Sequence, residues 1–214
     1  MPWWQETFLL LALALVASIL VKAFFIQMFF VPSASMHPTL VENDRILVEK
    51  VSHWDGQVDR GDVVVFQDPG GWLDTTPQPT GFQKFLALLG LYPEGGHLVK
   101  RVIGVGGDHV VCCDKRGRIK VNGVPLYEKD HLPKGTAPSL RRFNVHVPQD
   151  AIWVMGDNRS NSEDSRYHQD QPGRGTVPEK DVVGRVWAIV WPLDRIQVLH
   201  RPDTFATVPS PASH

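Results

Sequence analysis

The chain has 214 residues, 43% of them apolar and 21% charged, with a formal net charge of −1. That length suits one domain, or one domain plus an appendage. The near-neutral charge argues against a nucleic-acid binder, which would usually show a basic face, and like charges nowhere gather into an interaction tail.

Residues 8–21 are apolar throughout except Ser18. A membrane-spanning helix needs roughly 20 mostly apolar residues. Residues 1–25 meet that length as a single transmembrane anchor, with Trp3 and Trp4 placed for an interfacial aromatic belt. Lys22, near the far end, is placed to snorkel to the headgroups. A buried core helix fits this long uniform run less well. A cleavable signal peptide also fits less well, because MPWWQET carries no Lys or Arg and the apolar run is longer than a typical h-region. Charge leaves the orientation open, since neither flank is clearly basic.

Residues 26–31 are rich in Phe, Ile and Val and read as the first strand of a folded domain spanning 26–200. The next stretch, VPSASMHPTL, sets Ser33 and Ser35 between Pro32 and Pro38. Proline fixes its own φ and biases its predecessor away from the helix, so this stretch is expected to be extended or turned. It reads either as a linker leaving the anchor or as a segment presenting a serine hydroxyl.

Strands follow at 44–51 and 63–66, the second a short apolar run fit for a buried position. Residues 68–81, rich in Pro, Gly and Thr, read as a surface loop, and 82–91 as a short helix packed on the domain or touching the bilayer. Residues 97–105 alternate like a half-buried strand; 110–113 and 119–121 form a hairpin, and Asn122-Gly123 is a second turn. Further strands fall at 151–155 and 182–190, and 201–214 reads as a disordered tail. Short strands between Gly and Pro turns make a mainly β domain. Cys112 and Cys113 are adjacent, a spacing that rarely meets disulfide geometry, and they lack the second pair of a zinc site.

The chain has no HExxH, no Gly-rich phosphate loop with its Lys and no GxSxG elbow. No cofactor or metal is expected. A serine can instead be activated by a neutral lysine, which burial creates by lowering its pKa. Lys100, within LVKRVI, meets that requirement, and alternation along the strand sends one of Lys100 and Arg101 inward and the other outward. The stretch GDNRSNSEDSR, 156–166, directly follows a strand and is dense in loop-forming side chains. Its Asp157, Glu163 and Asp164 do not have EF-hand spacing.

Taken together, PSASMHPTL, LVKRVIGVGGDHV and GDNRSNSEDSR, with DRILVEK and RGDVVVF in order between the first two, resemble the boxes of bacterial type I signal peptidases. The likeness spans about 25–191; Ala34 stands where that family often has Gly, and His37 falls at a variable position. The resemblance implies a signal-peptidase-type β-rich catalytic domain that removes signal peptides from exported preproteins after small residues of the A-x-A type. It implies Ser35 as nucleophile and Lys100 as general base, with Ser33 in the oxyanion hole and Ser162 orienting the lysine. Asp164 and Arg166 become a supporting ion pair, and Met36 a lining of the small substrate pockets. It places the catalytic domain on the extracytoplasmic side of the cell membrane, with lipid and a secretion translocon as neighbours. Two other readings share some features. One is an inactive, membrane-tethered peptide-binding β-domain. The other is a self-cleaving repressor with the same dyad, which would carry a DNA-binding domain in place of the apolar segment.

Overall fold

The computed structural model describes residues 3–24, 26–50, 58–73 and 96–211, with the side chains of all but 16–24 and 26. Helix α1 (Trp3–Phe24) runs into strand β1 (Ile26–Phe30). The described side chains of α1 stand exposed, among them Trp3 at 79% and Phe8 at 74%. Among the described residues, no helix is long and apolar enough to cross a membrane. The helix expected over 82–91 lies outside the described residues.

The body is two antiparallel sheets. The larger runs β1, β2 (Arg45–Glu49), β11 (Val182–Trp191), β3 (Val63–Gln67), β4 (His97–Gly104), β9 (Ala151–Met155), β10 (Val177–Pro178), with β12 (Gln197–Val198) beside β11. The smaller runs β7 (Val124–Pro125), β6 (Ile119–Val121), β5 (His109–Cys112), β8 (Phe143–His146).

Period-two alternation assigns the faces of the large sheet. On β3, Val63 and Val65 enter a core with Val31, Met36, Leu40 and Ile46. Val64 and Phe66 point the other way, into a core with Trp72, Val102 and Val154. A strand covered on both sides has no polar face to show, which is why VVVF is uninterrupted. β9 does the same: Ile152 and Val154 join one core, while Trp153 and Met155 join a third, shared with the small sheet. The Asn122-Gly123 turn is present, with φ of 50° and 82° as a two-residue hairpin of that handedness requires.

Three expectations are corrected. Residues 201–211 are folded onto the body, not a loose tail. Its Phe205 is 5% exposed and packs against Gly61, where a Cβ would sit 2.8 Å from the ring. Arg201 donates to Asp62 at 2.6 and 3.0 Å, and Thr204 Oγ1 accepts from the Tyr127 amide at 2.7 Å. Few apolar side chains carry this packing, so composition hides it. Second, Cys112 and Cys113 are bonded to each other across a cis peptide, with Cα atoms 3.0 Å apart. Third, Lys100 and Arg101 are both buried, at 3% and 2% exposure. They do face opposite sides of β4, but both sides are covered.

Phe205→Ala removes an aromatic anchor from a packed site and should cost about 3 kcal/mol or more. Chemical denaturation of the variant measures this; a loss under about 1 kcal/mol would show that the C-terminal segment is not part of the cooperative unit.

Candidate active site

Three segments distant in sequence meet at Ser35. The first is the turn that carries it. Ser33 is extended, at φ −138° and ψ 156°, then Ala34–Met36 make a single 3-10 turn closed by the His37 amide on the Ala34 carbonyl at 3.1 Å. Met36 anchors this turn from below. It is 1% exposed and packs in the core with Val31, Leu40 and Val63. The turn leaves Ser35 partly exposed and Ser33 exposed, their hydroxyl oxygens 3.2 Å apart.

The second segment is β4. Lys100 lies across from Val64 in the ladder, on the face that holds Val102. Its Nζ donates to Ser35 Oγ at 2.8 Å. Burial lowers its pKa from 10.5 to about 8; Asp164 pulls it up, Arg166 pushes it down, and Asp157 and Glu163 add smaller upward pulls. A hydroxyl held against an amine that sheds its proton this readily is set up for proton transfer.

The third is the loop 156–166. Gly156 is wedged so tightly that a Cβ there would strike Ser162 Oγ and the Ser35 carbonyl oxygen, which is why glycine stands at the end of β9. The Asn158 amide donates to the Ser35 carbonyl at 3.0 Å, and Asn158 Nδ2 to the Ala34 carbonyl at 3.1 Å. Asp164 and Arg166, both fully buried, form the expected bidentate pair at 2.8 Å for each bond. The Gly156 amide donates to Asp164 Oδ2 at 3.0 Å. Burial raises the Asp164 pKa, but the Arg166 hydrogen bond and charge outweigh it and hold the carboxyl ionised. Ser162 is buried beside the dyad, and its hydroxyl has no hydrogen-bond partner among the described residues.

Sequence reasoning missed the buried ion pairs that brace the segments around Ser35 and Lys100. Arg101 donates to Asp157 at 2.8 and 2.7 Å and to the Gly61 carbonyl at 2.7 Å. Asp157 in turn accepts from Thr39 Oγ1 at 2.5 Å, tying β4, the serine segment and the loop into one brace. Arg159 is 0% exposed and paired with Glu128. Asp157 and Arg159 sit in a stretch that reads as a solvated polar loop; nothing in the residues around Glu128 marks it. Two clefts, of about 470 and 430 Å³, open elsewhere, the first over Asp62, Trp187 and Arg201, the second over Arg60, Phe205 and Pro211. Neither borders Ser35. Among the described residues no cluster of three or more His, Cys, Asp or Glu is arranged to hold a metal ion.

The family model described as signal peptidase, peptidase S26, matches residues 4–191. Signal peptidase I of Mycobacterium tuberculosis (strain CDC 1551 / Oshkosh) is 37% identical over 217 aligned residues, covering 89% of this chain and 74% of that protein. Signal peptidase I of Leptolyngbya laminosa is 31% identical over 195 residues, covering 91% of this chain and 83% of the relative. A crystal structure of a signal peptidase I from Enterococcus faecalis V583 covers 61% of this chain and 97% of its own at 24% identity, with a TM-score of 0.39.

Burying Lys100 has a thermodynamic signature. Its folded pKa lies below the unfolded value, so the unfolded chain binds more protons between pH 8 and 10.5. The penalty is complete below pH 8 and vanishes as pH rises past 10.5. A shift of that size is worth about 3 kcal/mol. Lys100→Met should therefore be more stable than the parent by up to about that amount at pH 6–7. The gap should close on alkalinisation, read from denaturation midpoints across pH. A gap independent of pH would mean Lys100 is not desolvated.

Proposed function

The chain belongs to the signal peptidase family, peptidase S26, hydrolases that remove signal peptides, and we propose that it does so with Ser35 as nucleophile and Lys100 as general base. The observation that carries this reading is the 2.8 Å contact between Lys100 Nζ and Ser35 Oγ, made by an amine with a pKa near 8. Ser35 Oγ attacks the scissile carbonyl while neutral Lys100 takes its proton. The resulting ammonium then protonates the leaving amine, and a water molecule, deprotonated by the same amine, hydrolyses the acyl-enzyme. The Ser33 hydroxyl, exposed beside Ser35 Oγ, donates to the oxyanion, a contribution of about 3–4 kcal/mol for a well-placed donor. Ser162 orients Lys100; its burial beside the dyad with an uncommitted hydroxyl supports that role. Asp164 and Arg166 stabilise the loop and balance each other, so that Asp164 does not clamp Lys100 as an ammonium ion. An intact Ser-Lys contact speaks against an inactive peptide-binding domain.

The substrate is the cleavage region of an exported preprotein, with small residues of the A-x-A type before the cut. The N-terminal segment anchors the chain as a single transmembrane helix, with the catalytic body on the extracytoplasmic side. Apolarity over 8–21 supports the anchor, as does the exposure of the described α1 side chains. Met28, Phe30, Trp191 and Leu193 also stand exposed, on or just after β1 and β11 of the large sheet, in keeping with a body resting against lipid.

Ser35→Ala and Lys100→Arg should each lose more than about a thousandfold in preprotein cleavage while remaining folded, because a guanidinium stays protonated at working pH. Processing at the parental rate by either variant refutes the dyad. For the parent, kcat/KM should rise with pH through a midpoint near 8, the pH at which Lys100 becomes neutral. A rising limb centred near pH 10 would place the base in water instead. Chelation by EDTA should leave the rate unchanged, and inhibition would call for a metal.

A further inference from the structure

We propose that Glu128 is a positioning residue for this reaction: through Arg159 it fixes the Gly156 carbonyl, and with it the backbone that holds Ser35 against Lys100. The proposal rests on the dyad assigned above.

The connection is short and buried throughout. Glu128 is 3% exposed and accepts from Arg159 Nη2 at 2.5 Å and Nη1 at 3.2 Å. The same guanidinium donates from Nη1 to the Pro138 carbonyl at 2.7 Å and from Nε to the Gly156 carbonyl at 3.0 Å. Gly156 has no room for a side chain, packed as it is on the Ser35 carbonyl and on Ser162. Its amide also holds Asp164. Arg159 therefore grips the carbonyl of a residue whose α-carbon packs on the nucleophile's backbone and whose amide holds Asp164, the acid with the largest effect on Lys100. Glu128 is what allows a guanidinium to be buried there, since an unpaired charge at that depth would be expelled or would draw other acids to it. Net stability does not account for such a pair, because apolar side chains of similar volume typically do as well.

The charges surrounding each group give the test its sign. Lys100 faces Asp164, Asp157 and Glu163, which favour its ammonium form, and Arg166, which opposes it. Glu128 faces Arg159 and, at 3.7 Å, His131. Burial raises the Glu128 pKa, but the Arg159 charge and hydrogen bonds, with His131 nearby, bring it down to about 2, so it is ionised at working pH. Arg159 is also drawn electrostatically to Asp157 and Asp164. Neutralising Glu128 leaves Arg159 free to compete for those two acids. Lys100 then loses support for its charge, and its titration midpoint falls. Mere loosening of the fold acts in the opposite direction: water reaches Lys100, desolvation lessens, and the midpoint climbs toward 10.5.

The experiment measures kcat, KM and the pH profile of the purified full chain in detergent, on a synthetic peptide with an Ala-x-Ala cleavage site. Glu128→Gln should lower kcat about tenfold or more with KM within about twofold, and move the rising limb below the parental midpoint of about 8. Glu128→Asp should return the midpoint to the parental value. An unchanged kcat, or a midpoint displaced upward, overturns the proposal. If Glu128→Gln does not fold, the double variant Glu128→Met with Arg159→Met removes both charges at similar volume. It should fold, keep the parental midpoint and still show the reduced kcat, because the Gly156 carbonyl has lost its donor; parental kcat there also overturns the proposal. Ser35→Ala in the same assay should be inactive. Residual turnover in that arm faults the dyad and not the role of Glu128.

Discussion

The contact between the Lys100 amine and the Ser35 hydroxyl sets the terms for everything around it. A lysine in water is an ammonium ion at any physiological pH and accepts no proton. To make it a base, the fold must strip water from it, and that costs stability. The large sheet supplies the dry setting: Lys100 points into a face shared with Val64 and Val102, while the serine turn is pinned above its own core by Met36 and Leu40.

Desolvation alone does not tune the base. Charges are packed around it, and nearly all are paired: Arg101 with Asp157, Arg166 with Asp164, Arg159 with Glu128. A lone buried carboxylate near Lys100 would hold it protonated; a lone guanidinium would lower its basicity further. Pairing lets these groups brace the loop through fixed hydrogen bonds while their fields on the amine largely cancel. The loop itself works through its backbone. Asn158 holds the Ser35 carbonyl through its amide and the Ala34 carbonyl through its Nδ2, with Gly156 packed against the first, so the serine turn is held from a segment more than a hundred residues away.

Much of this was legible in the residues, and the parts that were not share a cause. Strands with clear alternation or uninterrupted apolar runs, such as β3 and β9, matched their patterns because burial on one or both faces writes that pattern. The pairing of Asp164 with Arg166 and the meeting of Ser35 with Lys100 followed from the family boxes, where no local rule would have joined positions 65 residues apart. Missed features are those in which a few side chains act against the composition around them. Phe205 secures a segment that otherwise reads as a polar tail. Arg101 was expected to leave the fold if Lys100 entered it, since alternation says which face a residue takes and not whether that face is covered. Glu128 is an unremarkable acid in sequence, buried only because Arg159 arrives from elsewhere in the chain.

If the base is Lys100, as proposed, an amine with its midpoint near 8 also fixes how many molecules hold the free base at a given moment. At pH 7 roughly one in ten holds the free base, by simple mass action. The remainder form a resting population, folded and able to bind but with the proton acceptor occupied. On the proposed dyad, turnover at neutral pH draws on a minority state, and changes in the field at Lys100 alter its size.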